Sequence, residues 1–288
     1  MSGDRDDSPR EGGERRVLVA LDAAGSSLST VDDALEQAVW IAHRLEAELV
    51  GLFVEDRVLF ALGSLREIGS FSGTLRTLDA GAVGRSLRSR AALVQARLAR
   101  LATAEQVRWS FRRVRGAVVD ELLGASAECD LFVLGRTAGK RRRPALGSVA
   151  RALLPRLPRS VLLLSQERAT SSGLIVVVHD RTPASERALA LALRLQAGDG
   201  AGERRVVLLP ISEPTTSESP PPELEPGSAV LPDAEWLDGC SGAACAIVEA
   251  LRLRPVGVLV VGRGVALAGA DALVELAEQL DAPLLVVE

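Results

Sequence analysis

The residues best suited to bind a ligand lie within residues 129–166. An apolar run, Leu131 to Leu134, ends at Gly135, and Gly147-Ser148 later begins an amphipathic segment. Glycine lets the backbone approach a ligand closely, and the N–H groups at a helix start attract negative charge. This order of strand, glycine-bearing loop and helix predicts a site for a phosphate-sized anion.

The same residues also have purely structural interpretations. Gly135 at a strand exit can form a tight turn, and Ser148 can cap a helix. The four consecutive cations at 140–143 form either a solvated loop or direct contacts to phosphate. A Walker A motif is excluded, because Gly139-Lys140 has the wrong spacing from Gly135 and no Ser or Thr follows the lysine.

The length and composition limit the classes of protein to which this chain can belong. At 288 residues, with 47% apolar and 25% charged residues, the chain is long enough for two globular domains. No apolar run approaches the ~20 residues of a membrane span, so no membrane partner is expected. The polar residues 1–13 lack the apolar centre of a signal peptide and predict a disordered tail.

Cysteine usage indicates a reducing, cytoplasmic location. Only three cysteines are present, and no export signal accompanies them. Cys240 and Cys245 are five residues apart, with neither a CxxC spacing nor a nearby histidine. We therefore expect small core or half-buried residues there, and no metal site.

The charge is distributed unevenly between the two halves of the chain. Residues 14–166 carry 23 basic and 16 acidic side chains, whereas residues 167–288 carry 9 and 18. One interpretation is an anion-attracting first half that docks on an acidic second half. The other is that the surface charges drifted apart, with acidic loops widening the difference.

The apolar runs repeat in the same order in both halves. Each half reads strand-Asp, helix, strand, and later strand-Gly-Arg, helix, strand, with the first strands at 17–22 and 174–180. Continuous Val, Leu and Ile runs that alternate with helices are typical of parallel strands buried on both faces. The sequence therefore predicts an α/β fold whose ligand crevice lies at the carboxyl edge of the sheet, where Asp22 and Gly135 fall.

The halves differ in their insertions. The first half has an arginine-rich region at 57–115, in which one helix face is apolar: Val83, Leu87, Val94, Leu98 and Leu101. Such a helix binds membranes or nucleic acid, or it packs on a core with a solvated charged face. We expect the packed helix, since aromatic residues for base stacking are scarce. The second half has a Pro/Ser/Glu stretch at 212–228, which predicts a flexible loop.

With this repeat laid out, the chain resembles the universal stress protein family in a tandem two-domain form. The matching stretches in the first half are VLVALDAAGSS, LVGLFVED and DLFVLGRTAGKRRRPALGSVARALL. Those in the second half, which match more weakly, are IVVVHDRTPASERALALA, VLVVGRG and LVELAEQLDAPLLVVE. The implied organisation is a tail at 1–13, a first domain at 14–167, a linker at 168–172 and a degenerate second domain at 173–288.

The resemblance also implies the architecture. Each domain would be a doubly wound, Rossmann-like domain of the adenine nucleotide alpha hydrolase-like type, built on a parallel five-stranded sheet. The two domains would form an internal pseudo-dimer, in which the last strands, Val161–Leu164 and Pro283–Val287, meet across a pseudo-twofold axis. Further pairing of chains into a homodimer stays open.

Nucleotide-binding members of the family carry a Gly-x2-Gly-x9-Gly-Ser/Thr loop, and this sequence departs from it. Position 138 is alanine, and eleven residues separate Gly135 from Gly147, one fewer than in the family pattern. The resemblance implies an adenine nucleotide, ATP with Mg or AMP, in the first domain. The residues that would bind it are Asp22, Val54, Leu134, Gly135, Arg136, Gly139, Lys140, Gly147, Ser148 and Val149.

Three functions fit this sequence. The first is a cytoplasmic stress-response protein that binds an adenine nucleotide as a regulatory, non-catalytic ligand; the second is a scaffold protein of the same family without a nucleotide. The third is an enzyme such as a slow ATPase, which is disfavoured because only Asp22 or Asp130 could act as a base near the loop.

The second domain is expected to be a structural partner without a nucleotide. It keeps Asp180 and Gly262, but Asp271 stands where a Gly-Ser pair would begin the helix. An acidic side chain there would repel a phosphate and would cap the helix.

Overall fold

The computed structural model describes residues 15–22, 28–58, 80–135, 146–165, 173–197, 205–212, 235–267 and 271–288. The predicted tail at 1–13, the linker at 168–172 and residues 213–228 of the predicted loop lie outside these ranges. We use "first half" for residues 15–165 and "second half" for residues 173–288.

The first half alternates strands and helices. Its strands are β1 (Arg16–Asp22), β2 (Glu48–Asp56), β3 (Trp109–Gly116), β4 (Leu131–Leu134) and β5 (Ser160–Leu163). Its helices are α1 (Leu28–Arg44), α2 (Ala80–Ala104), α3 (Val118–Ser126) and α4 (Ser148–Leu153).

The second half repeats this order with shorter additions. Its strands are β6 (Leu174–His179), β7 (Val206–Ser212), β8 (Glu235–Trp236), β9 (Cys240–Ser241), β10 (Val256–Gly262) and β11 (Leu284–Val287). Its helices are α5 (Pro183–Ala197), α6 (Ala244–Leu251) and α7 (Ala272–Gln279).

All these strands except β9 form one continuous sheet. The order across it is β3-β2-β1-β4-β5-β11-β10-β6-β7-β8, and β9 pairs separately with β7. Within each half the pairing is parallel, as the buried aliphatic runs predict. The order β3-β2-β1-β4-β5 of the first half is matched by β8-β7-β6-β10-β11 in the second. The predicted α/β fold with a repeated, doubly wound sheet is therefore confirmed.

The two halves join through their last strands. β5 and β11 pair antiparallel, with Leu163 opposite Leu284 and Val161 opposite Val286. The predicted meeting of these strands is confirmed, and it fuses the two predicted five-stranded sheets into one. Because an antiparallel pair is symmetric about a local twofold axis, the carboxyl edges of the two halves point in opposite directions.

The core lies on both faces of this sheet. Alternate residues of a strand point to opposite faces, so Val19 faces one layer and Leu18 the other. One face is covered by α1, α2 and α5, and the opposite face by α3, α4, α6 and α7. The strands between the edges are therefore buried on both sides, which explains their uninterrupted apolar sequences.

The arginine-rich region contributes a packed helix, as expected. The buried side chains of α2 form one stripe: Leu87, Ala91, Val94, Leu98 and Ala102. A Cβ on Gly51 would lie 2.6 Å from Leu98 Cδ2, so the helix packs tightly against β2. The region also contains β3, an edge strand that the apolar pattern did not predict.

Arginines of the first half contact glutamates of the second. Arg151 on α4 pairs with Glu278 on α7, and Arg159 lies 3.9 Å from Glu288. In both contacts an arginine of the basic first half lies against a glutamate of the acidic second half, as docking of oppositely charged halves predicts. Both arginines are about half exposed, so the pairs add only a small amount to the stability of an interface held mainly by β5 and β11.

Candidate functional site

The candidate site lies where the winding of the first half reverses. From β1 the chain winds outward through β2 to β3, whereas β4 and β5 lie on the other side of β1. In open parallel sheets the ligand crevice lies at such a reversal, beyond the carboxyl ends of the strands. Asp22 ends β1 opposite Val54 of β2, and Gly135 follows β4 directly. The structure therefore brings these three predicted residues to one edge of the sheet.

The strand exit at Gly135 is free of contacts from the described residues. Gly135 is exposed, and no atom of the described residues lies within 4 Å of a Cβ built on it. The preceding Leu134 is buried, and its carbonyl oxygen accepts the N–H of Leu164 at 2.9 Å. Val54 is also buried in the core. A ligand at this edge would therefore contact Val54 and Leu134 through their backbone atoms.

The start of α4 provides the remaining described residues of the predicted site. Gly147 is the N-cap residue, with φ −63° and ψ 157°, and no side chain caps the helix. Ser148 is exposed in the first turn, so the alternative interpretation of Ser148 as the cap is wrong. Val149 is half-buried beside it. The predicted residues Arg136, Gly139 and Lys140 lie outside the described residues, as does the side chain of Asp22.

An ion pair between a buried glutamate and half-exposed arginines lies at the same edge of the sheet and was not predicted. Glu55 follows Val54 on β2 and is only 3% exposed. Its carboxylate accepts hydrogen bonds from Arg115 at 2.9 and 3.0 Å, and it lies 3.5 Å from Nε of Arg113. The carboxylate ties the end of β2 to the edge strand β3. Two features of the sequence were available as a signal: the acidic end of β2, and the alternating arginines at 113 and 115, which lie about 60 residues later in the chain.

The second half has the same reversal of winding, between β6 and β10, but its own chain occupies it. Asp180 follows β6, and its Oδ1 accepts the N–H and the hydroxyl of Thr182 at 3.0 and 2.6 Å. Its Oδ2 accepts the N–H of Ala266 at 2.7 Å. Burial raises the pKa of this carboxyl, but hydrogen bonds from Thr182, Ala266 and Ser185 outweigh that influence, so the pKa is lowered overall.

The loop after β10 is folded tightly against this carboxylate. The N–H of Val265 donates to the carbonyl of Gly262 at 3.1 Å, and Gly264 has φ +103°, a value that favours glycine. A Cβ on Gly262 would lie 2.2 Å from the carbonyl oxygen of Ala184, and one on Gly242 would lie 2.2 Å from that of Ala266. Backbone therefore lies against Gly262 at the position where, at Gly135, no described atom comes within 4 Å of an added Cβ.

The helix that follows this loop starts differently from the expectation. Asp271 is the N-cap residue of α7, with φ −102° and ψ 11°, but its side chain makes no capping hydrogen bond. The predicted capping role is therefore wrong, although the acidic residue does stand at the helix start. Next to the loop, His179 is buried, with Nε2 3.1 Å from Oε1 of Glu186 and its ring edge-on to Trp236 at 5.8 Å.

The two aspartates proposed as alternative catalytic bases are not equivalent. Asp130 precedes β4 at the amino edge of the sheet, where its Oδ2 accepts the N–H of Arg16 at 2.8 Å. Four residues of strand separate it from Gly135, a distance of about 15 Å. Asp130 is therefore excluded as a base near the loop, and Asp22 keeps its position there.

A separate cleft of about 150 Å³ lies at this amino edge. Its charged residues pair with one another: Arg16 with Glu48 at 3.1 Å, and Arg112 with Glu128 at 2.6 Å. Burial, and then the charge of Asp130, raise the pKa of the lining Cys129 to about 12. This thiol is thus protonated at neutral pH, and the cleft holds no activated nucleophile among its lining residues.

The other cysteines also give no reactive cluster. Cys240 is half-buried and Cys245 exposed, and neither forms a disulfide. No group of three or more His, Cys, Asp or Glu side chains in the described part of the chain is placed to hold a metal ion. None of the described helices is long and apolar enough to cross a membrane.

Comparison with known proteins agrees with this geometry. The doubly wound sheet and the glycine exit define an α/β protein of the Rossmann-like class. The model of the universal stress protein family matches residues 14–165, more than half of the chain, and the chain belongs to this family. Among curated proteins, none matches significantly.

Solved structures support the fold over the whole chain. A universal stress protein from Archaeoglobus fulgidus DSM 4304 is 15% identical, with a TM-score of 0.64 over 94% of this chain and 96% of that chain. A putative universal stress protein from Pseudomonas aeruginosa UCBPP-PA14 is 16% identical, with a TM-score of 0.56 over 95% and 93%. A universal stress protein in complex with cAMP is 20% identical over 53% of this chain and 98% of that chain, with a TM-score of 0.37. The likeness to the first two of these structures, at 15% and 16% identity, shows the fold.

Proposed function

We propose that the first half binds an adenine nucleotide, ATP with Mg or AMP, as a regulatory and non-catalytic ligand of a cytoplasmic stress-response protein. The observation that carries this proposal is the position of the exposed Gly135 next to Asp22, at the reversal of the winding. Membership of the universal stress protein family supports an adenine nucleotide over other anions.

The residues divide by their place along the crevice. Asp22 and Val54, at the paired ends of β1 and β2, would lie against the adenine and ribose. Leu134 and Gly135 would contact the base or ribose through their backbone. The phosphates would lie toward the start of α4, among Arg136, Gly139, Lys140, Gly147, Ser148 and Val149.

The second half acts in this proposal as a structural partner domain. The Asp180 carboxylate, which would face the ligand in the first half's arrangement, already accepts three hydrogen bonds from the chain. Two domains, at 14–167 and 173–288, thus pair through β5 and β11, and only the first binds a nucleotide. Pairing of whole chains into a homodimer is compatible with this division.

The proposal is tested on protein purified without added nucleotide. The full chain is denatured, and the supernatant is analysed for ATP, ADP and AMP, with a calorimetric titration of ATP-Mg on the folded protein. We expect retained nucleotide or binding in the micromolar range. Neither retained nucleotide nor heat at high micromolar ATP would favour the scaffold function instead.

Gly147→Glu locates the site. Gly147 has φ −63°, which a glutamate adopts without strain, and a carboxylate at a helix start stabilises the helix while it repels phosphate. We expect affinity for ATP to fall about 100-fold, the effect of losing two or more charge-assisted hydrogen bonds. Gly124→Glu is the matched control, since Gly124 is exposed on α3 with no described atom within 4 Å of its added Cβ. Equal affinities for ATP in the two variants would place the site elsewhere.

A further inference from the structure

The two outer edges of the sheet are built differently. At one edge, β3 pairs with β2 in unbroken parallel register over all eight of its residues. At the other edge, β8 covers only Val207 and Leu208 of β7, and β9 covers two more residues after Pro210. Short edge strands and proline protect a sheet against the addition of further strands. β3 has neither protection, so it is a long and regular edge strand.

Half of the backbone of β3 points away from β2. The N–H of Leu49 donates to the carbonyl of Arg108 at 2.8 Å, which identifies the side of the chain that faces β2. Because peptide groups alternate along a strand, the residues at 109, 111, 113 and 115 direct their N–H and carbonyl groups outward. No strand among the described residues pairs with this side. The outer edge of β3 therefore offers a row of hydrogen-bonding groups to which an extended chain can add.

The side chains of the same four residues form a pattern along this edge. Trp109 and Phe111 are half-buried and pack against the core on the face that α1 and α2 cover. Arg113 and Arg115 share that face, since alternate residues of a strand point the same way. Both arginines contact Glu55, yet their side chains remain 48% and 55% exposed. Along the strand, the edge is therefore apolar at its start and basic toward its end.

The charge of β3 distinguishes between two kinds of partner. The strand has three arginines and no acidic side chain among its eight residues. A second copy of β3 would bring three more arginines onto the neighbouring strand, where like charges are unfavourable. Two carboxylates at alternate positions of an incoming strand would instead meet Arg113 and Arg115, while apolar side chains would meet Trp109 and Phe111. The pattern therefore favours an acidic partner strand over a second copy of this chain.

We propose that the outer edge of β3 binds an extended acidic segment of a partner protein as an additional strand, with two carboxylates two residues apart against Arg113 and Arg115. The backbone groups of β3 supply affinity, and the alternating side chains select the partner. The nucleotide proposal concerns the carboxyl ends of β1, β2 and β4, so the strand-binding edge does not depend on it.

The test uses the full chain and short synthetic peptides. Acetyl-ETETVTVT-amide places its two glutamates opposite the two arginines when it pairs antiparallel to β3, and acetyl-VTVTETET-amide does so when it pairs parallel. Both peptides are titrated calorimetrically, beside matching peptides in which lysine replaces glutamate. We expect one acidic peptide to bind at submillimolar concentration. Its lysine counterpart should bind about tenfold more weakly or worse, because two ion pairs become two repulsions.

A pair of protein variants locates the contact on β3. Arg113→Gln should weaken binding of the acidic peptide about threefold, the effect of one exposed ion pair. This substitution leaves the two hydrogen bonds from Arg115 to Glu55 in place. Arg112→Gln is the matched control, because Arg112 is about equally exposed on the same strand but pairs with Glu128 on the opposite face. Its affinity for the peptide should stay that of the unmodified chain.

Methylation of the peptide backbone tests whether the peptide binds as a strand. Only one alternate set of its N–H groups faces β3. N-methylation of that set should abolish binding, whereas N-methylation of the other set should leave binding in place. These peptides and the lysine peptides are measured on the unmodified chain, so the result does not depend on a variant that fails to fold.

Several results would overturn the proposal. They are no binding of either acidic peptide at millimolar concentration, equal binding of the acidic and lysine peptides, and equal affinities of the Arg112→Gln and Arg113→Gln proteins. Equal binding of the two N-methylated peptides would exclude a strand of the sheet. Sedimentation of the full chain tests the other occupant: a dimer that the acidic peptide dissociates would assign this edge to a second copy and contradict the proposal.

Discussion

The first and second halves have the same reversal of winding and treat it in opposite ways. Between β1 and β4 the exit at Gly135 is exposed, and no atom of the described residues lies within 4 Å of a Cβ built there. Between β6 and β10 the corresponding Gly262 lies against the carbonyl of Ala184, and Asp180 binds the loop that follows. The same strand order therefore supports two different arrangements of the described residues: no contact beside Gly135, and backbone packed against Gly262.

The difference teaches that strand order alone does not make a binding site. Both halves bring an aspartate and a glycine to the carboxyl edge, where a doubly wound sheet places its ligand crevice. In the second half, the loop after β10 determines that the Asp180 carboxylate bonds to the chain itself. The hydrogen bonds that this carboxylate accepts from Thr182 and Ala266 hold the loop against the edge.

Among the predicted changes in stability, the largest is the difference between alanine substitutions at Gly262 and at Gly135. Gly262→Ala should destabilise the protein by about 3 kcal/mol, because the new methyl group would meet backbone rather than a movable side chain. Gly135→Ala should change stability by no more than about 0.5 kcal/mol, because no described atom is close to it. The free energy of unfolding in urea, measured on both variants, checks the comparison.

Equal stabilities of the two alanine variants would contradict the contrast between the contacts at Gly135 and at Gly262. A destabilised Gly135→Ala protein would show that residues beyond the described ranges pack against the first exit. The slope of the unfolding transition should be the same for both variants if only the native contacts change.

A smaller effect is expected at Asp180. Asp180→Asn should cost about 1–3 kcal/mol near neutral pH, because an amide has one oxygen where the carboxylate accepts with two, leaving the Ala266 N–H without its acceptor. The lowered pKa means that this stabilisation is complete above pH ~4, the ordinary pKa of aspartate, and is lost as the pH falls through the folded-state pKa. The difference between the two proteins should therefore shrink in acid.

Urea unfolding at pH 7 and at several acidic pH values measures this difference directly. A gap between wild type and Asp180→Asn that stays constant down to pH 2 would mean that Asp180 does not carry the interaction. Thr182→Ala provides a partial comparison, since it removes the hydroxyl hydrogen bond to Asp180 but not the one from Ala266.

Most of the fold was predictable from the sequence, for a physical reason. Central parallel strands are buried on both faces, so they appear as uninterrupted aliphatic runs, and the runs at 17–22 and 174–180 locate β1 and β6 almost to the residue. The edge strand β3 was not predicted, because three of its eight residues are arginines and it is only partly buried. The two-residue strand β8 is too short to give any pattern.

The position of the candidate site was predictable from the sequence. Whether the chain's own backbone packs against its aspartate and glycine was not. The sequence places Asp180 and Gly262 as close counterparts of Asp22 and Gly135. Only Asp271, which would repel a phosphate, indicates that the second half binds a nucleotide less well. The closing contact is a hydrogen bond from the backbone of Ala266, and a backbone N–H leaves no signature in residue types. The Arg115–Glu55 pair was missed for a related reason, since its partners are 60 residues apart in the chain.

If only the first of the two edges takes a nucleotide, each chain has a single nucleotide site. Calorimetric titration of the full chain with ATP-Mg tests it most directly, because the fitted stoichiometry counts sites per chain. The account predicts a single site that is lost in Gly147→Glu and kept in Gly262→Ala at a temperature where that variant remains folded. Two equivalent sites per chain, or a single site that survives Gly147→Glu, would contradict it.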